Sequence, residues 1–175
     1  MMGVVAGKKS AARKKVAGKK VATRVQGSRI ELRQSPIHGR GVFALKLLQS
    51  ASRVAEYKGE RITHREADRR YGITDDSQPD HTFLMTLDRR YVIDATPSRG
   101  WAKWINHACE PNCEALIYGD RIYIHAKRDI RRGEELFIDY GLNVDSDDDP
   151  ARYQCRCGQP GCRGTMLGVS AGAGA

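Results

Sequence analysis

The chain lacks any long apolar run. No stretch approaches the roughly 20 residues that cross a bilayer, and residues 1–7 have neither the apolar core nor the cleavage pattern of a secretory signal. Aromatic residues make up only 7%, although 40% hydrophobic residues in a chain of 175 are enough for one core. The sequence therefore predicts one compact intracellular domain with no membrane partner.

The first 29 residues lack acidic side chains. They carry six Lys and three Arg, which equals the whole formal net charge of +9, so the rest of the chain is balanced at 21 basic and 21 acidic residues. Residues 1–28 contain only small apolar side chains beside these lysines, and they cannot bury enough surface to offset the entropy of ordering. We expect a disordered basic tail over 1–28, with residues 1–29 able to bind nucleic acid non-specifically through counterion release.

After the tail, short β-like runs alternate with turn signals. A two-residue hairpin loop is expected at Gly119 and Asp120. One helix is expected over 64–71, with Thr63 as N-cap and Glu66 as its capping-box partner, and a short helical turn over 100–104. This pattern predicts a mainly β fold with short α segments. The predicted strands are 30–33, 42–45, 54–57, 82–87, 91–93, 114–118, 121–126 and 136–138.

The five cysteines do not form the pattern of a disulfide framework. Their number is odd, and no secretory signal is present. Cys155, Cys157 and Cys162 lie close together in sequence, which favours a metal site. Structural zinc takes four ligands, so Cys109 or Cys113 must supply the fourth thiolate.

Two motifs carry the most information. Residues 106–113 read NHACEPNC, and residues 133–140 read GEELFIDY. In this order and spacing they resemble the two signature motifs of the SET domain, a family of protein-lysine methyltransferases. The resemblance covers about residues 29–167. It implies small twisted sheets with a threaded pseudoknot over 29–144, an acidic linker and post-SET zinc segment over 145–167, and a flexible end over 168–175.

The resemblance also implies a site. The cofactor would be S-adenosylmethionine, with S-adenosylhomocysteine as product. Tyr140 and Tyr57 would be catalytic, and Tyr57 and Ile138 would line the channel for the target lysine. The cofactor would be held by Gly39, Arg40, Gly41, Phe83, Asn106, His107 and Tyr140.

In the same family the post-SET segment takes its fourth ligand from the first cysteine of the upstream motif. One structural zinc would therefore be bound by Cys109, Cys155, Cys157 and Cys162, leaving Cys113 as a buried thiol. The chain departs from the family pattern at Lys103 and Trp104, where Arg and Phe are common, and at Ile138, where Phe or Tyr is common. These departures concern the cofactor edge and the lysine channel.

Ordinary interpretations stand beside these roles. Taken alone, Gly-x-Gly is usually a turn, Phe83 a core residue, and Tyr57 a residue packed at a sheet edge. Together, the motifs predict a lysine methyltransferase that acts on a histone-like or other DNA-associated protein.

Two other functions are compatible with the sequence. One is a catalytically inactive SET-like binding module tethered to nucleic acid by the basic tail, and the other is a small zinc protein that compacts DNA. No cysteine-rich segment precedes the domain, which is typical of stand-alone members, including bacterial ones. We expect a location in the cytoplasm or nucleoid of a bacterium, or in the nucleus or on chromatin of a eukaryote.

Overall fold

The computed structural model describes residues 29–71, 83–143 and 150–168. The predicted disordered tail, residues 145–149 of the predicted linker and residues 169–175 lie outside them. The strands are β1 (Ile30–Gln34), β2 (Arg40–Ala44), β3 (Arg53–Glu56), β4 (Glu60–Thr63), β5 (Leu84–Thr86), β6 (Tyr91–Asp94), β7 (Asn106–His107), β8 (Cys113–Tyr118), β9 (Arg121–Ala126) and β10 (Phe137–Ile138). The helix α1 spans His64–Tyr71, and 3₁₀ turns span Ala102–Trp104 and Pro150–Tyr153. Among these residues, no helix is long and apolar enough to cross a membrane.

The strands form several small sheets around a shared core. β1 pairs with β2, β9 lies between β3 and β8, and β6 lies between β4 and β5, all antiparallel. β10 and β7 form a short parallel pair. This arrangement, with one α helix in the described residues, confirms the predicted mainly β class.

The β8–β9 hairpin shows why these residues form strands. Gly119 adopts the left-handed φ of +62° that a tight hairpin loop needs, as predicted for this position. Along β9, alternate residues Ile122, Ile124 and Ala126 are at most 1% exposed. Burial of each isoleucine contributes roughly 2 kcal/mol of hydrophobic stabilisation, so the alternation fixes which face of β9 packs on the core.

Helix α1 begins where the sequence predicts. The N–H of Glu66 donates to Thr63 Oγ1 at 3.1 Å, which confirms Thr63 as the N-cap. The capping-box role of Glu66 is wrong, because its carboxylate accepts hydrogen bonds from Arg69 and Arg70 at 2.6–2.7 Å. The arginines one turn later are stronger, charge-assisted donors for this carboxylate.

The 3₁₀ turn over Pro150–Tyr153 was not predicted, the bounds of several strands differ from the predicted runs by one or two residues, and three strands differ more. β4 was missed because its only large apolar residue is Ile62, and its pairing with β6 supplies the order that its composition lacks. β7 was missed because two residues show no periodicity. β5 spans Leu84–Thr86, within the longer run predicted over 82–87, of which residue 82 lies outside the described residues.

The two sequence motifs meet at the β7–β10 pair. Phe137 lies opposite Asn106, and Ile138 opposite His107. The side chain of Asn112 accepts from Phe137 N at 2.8 Å and donates to Glu135 O at 2.7 Å. These contacts bring the second motif against the loop of the first, as the predicted crossing requires.

Candidate active site and cysteine cluster

A cavity of about 880 Å³ lies where the two motifs meet, and a smaller one of about 200 Å³ adjoins it. Of the site residues predicted from the sequence, the larger cavity is bordered by Tyr57, Phe83, Asn106, His107, Ile138, Tyr140, Cys155 and Cys157. Gly39 and Arg40 border the smaller cavity together with Phe83, Asn106 and Tyr140. The structure thus brings residues from distant parts of the chain to one concave surface.

Two tyrosines, Tyr57 and Tyr140, border the larger cavity. Tyr57 is buried, and burial, with smaller contributions from Tyr140 and Asp94, raises its pKa well above the usual value. The Tyr140 hydroxyl donates to Ile105 O at 2.9 Å. Although the residue is 39% exposed, its hydroxyl is withdrawn from solvent, and this desolvation together with the charge of Glu135 raises its pKa to about 12. Both hydroxyls therefore stay protonated at neutral pH.

Asn106 borders both cavities. Its Nδ2 donates to Glu135 Oε1 at 2.9 Å, Arg40 O at 3.0 Å and His38 O at 3.2 Å. Because all three partners are acceptors, the amide nitrogen must face them. Among the described residues, none donates a hydrogen bond to the side-chain oxygen, so this oxygen can accept one from a bound molecule.

The His107 ring holds the second motif in place. Its Nδ1 accepts from the Tyr140 N–H at 3.1 Å, and its Nε2 lies 3.5 Å from Cys109 Sγ. The side chain is only 3% exposed, and burial, despite the opposing charge of Asp139, lowers its pKa. A neutral ring with its proton on Nε2 fits these contacts. The ring therefore orients the Tyr140 backbone and contacts the cysteine cluster.

The Gly-x-Gly segment contributes in two different ways. Gly39 has a left-handed φ of +44°. Gly41 does not border either cavity, because it packs against Glu135, whose carboxyl group would overlap a Cβ at this position. Glu135 also accepts from Ser35 Oγ at 3.0 Å, so it ties this segment to Asn106.

The edge of the smaller cavity is aromatic and cationic. The Phe83 and Trp104 rings meet edge to face with centroids 4.8 Å apart. The Arg40 guanidinium lies 5.3 Å from the Trp104 centroid. Lys103 Nζ donates to the backbone carbonyls of Ala95, Thr96 and Ser98 at 2.7–3.1 Å. Lys103, which stands where the family commonly has Arg, therefore anchors the loop over 95–98.

Four of the five cysteines form one cluster. The Sγ atoms of Cys109, Cys155, Cys157 and Cys162 all lie within 4.8 Å of one another, and Cys109 Sγ is 3.6 Å from Cys155 Sγ and 4.0 Å from Cys162 Sγ. A tetrahedron with Zn–S bonds of about 2.3 Å has edges of about 3.8 Å, so this donor set suits zinc.

Cys113 lies apart from this cluster. Its side chain is fully buried, and burial raises the pKa of its thiol to about 12. The geometry therefore selects Cys109, and not Cys113, as the partner of the three C-terminal cysteines.

Comparison with known proteins identifies the family. Residues 39–141 match the SET domain family model.

The chain belongs to the SET-domain family.

Among its relatives are proteins named histone-lysine N-methyltransferase, H3 lysine-4 specific. The relative from Mycosarcoma maydis is 35% identical over 93% of this chain and 11% of its own length. Those from Saccharomyces cerevisiae and Eremothecium gossypii are each 39% identical over 76% of this chain, and over 13% and 14% of their own lengths. The chain thus spans little more than a tenth of the length of these curated relatives.

Some residues of the SET-domain site were not identified from the sequence. Gln154 and Met166 help to form the C-terminal wall of the larger cavity, and Leu142 borders the same cavity. Glu135 orients Asn106 from behind. These side chains belong to ordinary residue types without a distinctive spacing, so only their contacts reveal them.

Proposed function

We propose that this SET domain is an S-adenosylmethionine-dependent protein-lysine N-methyltransferase. The observation that carries the proposal is that two tyrosines with protonated hydroxyls, Tyr57 and Tyr140, border the cavity where the two family motifs meet. The names of the relatives support the same reaction class.

The volume of the cavity supports this choice of cofactor. Its volume of about 880 Å³ lies within the usual range of ligand sites. When bound, S-adenosylmethionine supplies an electrophilic sulfonium methyl group and becomes S-adenosylhomocysteine. The oxygen of Asn106 suits the ammonium group of this ligand. The other residues proposed to hold it are Gly39, Arg40, Gly41, Phe83, His107 and Tyr140, with Gly41 acting from behind the surface.

Tyr57 and Ile138 are proposed to line the channel for the target lysine. A narrow, desolvated channel lowers the pKa of the lysine amine and favours the neutral nucleophile. Tyr140 would orient this amine through its protonated hydroxyl. Asp139 borders the cavity, but both its oxygens accept from Arg163, so the amine would lose its proton to water.

We propose one structural zinc bound by Cys109, Cys155, Cys157 and Cys162. Each thiol would ionise on binding. The ion would tie the C-terminal segment, which forms one wall of the cavity, to the loop that follows His107. Its role would be structural, since four thiolates leave no open position for chemistry.

The proposed substrate is a lysine in a basic, histone-like protein, and the proposed location is the nucleus or chromatin. Both extend from relatives named for histone H3 lysine 4. Residues 1–29, with nine positive charges and no acid, are proposed to bind nucleic acid.

Two measurements test the function. Calorimetry should show binding of S-adenosylmethionine, and labelled cofactor should transfer its methyl group to lysine in a histone peptide. Binding without transfer would favour an inactive SET-like module tethered to nucleic acid. Absence of binding would favour a zinc protein that acts on DNA through its tail.

A further inference from the structure

Arg163 and Asp139 form a two-pronged ion pair. Arg163 Nη1 donates to Asp139 Oδ2 at 2.8 Å, and Nη2 donates to Oδ1 at 2.7 Å. Parallel hydrogen bonds of this kind fix relative orientation as well as distance. The side chains keep 25% and 35% exposure, so solvent screens the pair only in part.

The pair joins two functional segments. Asp139 directly precedes Tyr140, and its Oδ1 also accepts from Gly141 N at 3.1 Å. Arg163 directly follows Cys162, and its backbone N–H donates to Cys109 Sγ at 3.3 Å. Arg163 is therefore fixed to the cysteine cluster, and Asp139 is fixed to the backbone on both sides of Tyr140.

The same C-terminal segment closes the cavity. Residues 151–157 contribute several lining side chains, and Met166 contributes another. Beyond the cysteines, backbone hydrogen bonds hold this segment at Leu142, which donates to Met166 O at 3.1 Å and accepts from Gly168 N at 2.9 Å. The Arg163 ion pair is a side-chain tie between this wall and the Tyr140 segment.

We infer that Arg163 is a positioning residue that, through Asp139, aligns Tyr140 and holds the C-terminal wall closed on the cofactor. This inference rests on the proposed function. A ligand that contacts both sides of the cavity binds the closed arrangement, and its apparent affinity falls in proportion to the fraction of molecules that are closed. The pair therefore contributes to cofactor affinity without touching the cofactor.

The test is a double-mutant cycle on the full chain, with S-adenosylhomocysteine as the calorimetric probe. Arg163→Gln and Asp139→Asn should each weaken binding about fivefold to tenfold, since each leaves the wall less often closed. The double variant should bind S-adenosylhomocysteine no worse than the weaker-binding single variant, because the two single changes remove the same ion pair. Arg163→Lys should be intermediate, because an ammonium keeps the charge but loses the fork.

A matched control removes a different arginine pair. Arg128 Nη2 lies 2.6 Å from Glu134 Oε1, and Glu134 lies five residues before Asp139. The Arg128 side chain also donates to Asp129 O, and none of its described polar contacts involves residues 150–168. Arg128→Gln should leave affinity for S-adenosylhomocysteine unchanged. Zinc content should stay the same in all variants, since no thiol is altered.

Several results would overturn the inference. Single variants that bind like the wild type, losses that add in the double variant, or zinc loss that parallels the affinity loss would each exclude the positioning role. If the wild-type chain itself does not bind S-adenosylhomocysteine, the proposed function falls together with the inference. Wild-type binding with insensitive variants removes the inference alone.

Discussion

Replacing Cys109 by Ser should remove one corner of the proposed zinc site. Its Sγ lies 3.6 Å from Cys155 Sγ and 4.0 Å from Cys162 Sγ, close to the edges of a four-thiolate tetrahedron. Structural zinc sites bind with about 10–16 kcal/mol in total, or roughly 3 kcal/mol per ligand if shared equally. A serine hydroxyl does not ionise near neutral pH, so Cys109→Ser should weaken zinc binding by roughly two orders of magnitude.

Chelator competition with a zinc indicator would measure this loss, and elemental analysis should find one zinc per wild-type chain. Cys113→Ser is the matched control, since its thiol is fully buried away from the cluster. A poorly paired buried hydroxyl there should lower the free energy of unfolding by about 1–3 kcal/mol without releasing zinc. Equal zinc loss from the two variants would refute the choice of Cys109, and wild-type retention in Cys109→Ser would refute the site.

Three further outcomes are expected. Ile138 has no hydroxyl to restrain the methylated amine, so mass spectrometry should show di- or trimethyl-lysine, and only monomethyl-lysine after long incubation would contradict this. Deleting residues 1–27 removes eight of the nine positive charges of the tail. The shortened chain should no longer be retained on a DNA column at low salt but should still methylate a peptide. Loss of activity on every substrate would place the tail in the catalytic domain. Folding raises the pKa of Tyr140 from 10.0 to about 12, so the stability that Tyr140 contributes is present below pH 10 and is lost as the pH rises to 12. The free energy of unfolding should therefore fall less between pH 10 and pH 12 in Tyr140→Phe than in the wild type. An equal fall in the two proteins would contradict the raised pKa.

Local signals predicted the regular elements well. The loop at Gly119 requires a left-handed backbone, which only a few residue types adopt easily, and α1 begins after a Thr that can cap it. Such signals are contained in a few neighbouring residues. The two-residue strand β7 carries no such signal, because it is a strand only through its pairing with β10.

The candidate site was predicted as a set of residues, but their tasks depend on contacts. The sequence does not show that the His107 ring accepts from the Tyr140 N–H, or that Gly41 makes room for Glu135. The ion pair between Asp139 and Arg163 spans 24 residues and has no periodicity or motif of its own. Long-range polar contacts of this kind become visible only when the chain is folded.

Labelled methyl transfer by the wild type and by Tyr140→Phe would test the proposed methyltransferase activity. We expect the wild-type chain to transfer label from S-adenosylmethionine to lysine in a peptide from the N-terminus of histone H3. Tyr140→Phe keeps the ring, whose centroid lies 5.3 Å from the centroid of the His107 ring, but loses the hydroxyl. It should bind cofactor nearly as well while turnover falls roughly a hundredfold, as expected for loss of an interaction made in the transition state. No transfer by cofactor-bound wild type would exclude the methyltransferase activity, and near-wild-type turnover by Tyr140→Phe would exclude a catalytic role for the Tyr140 hydroxyl.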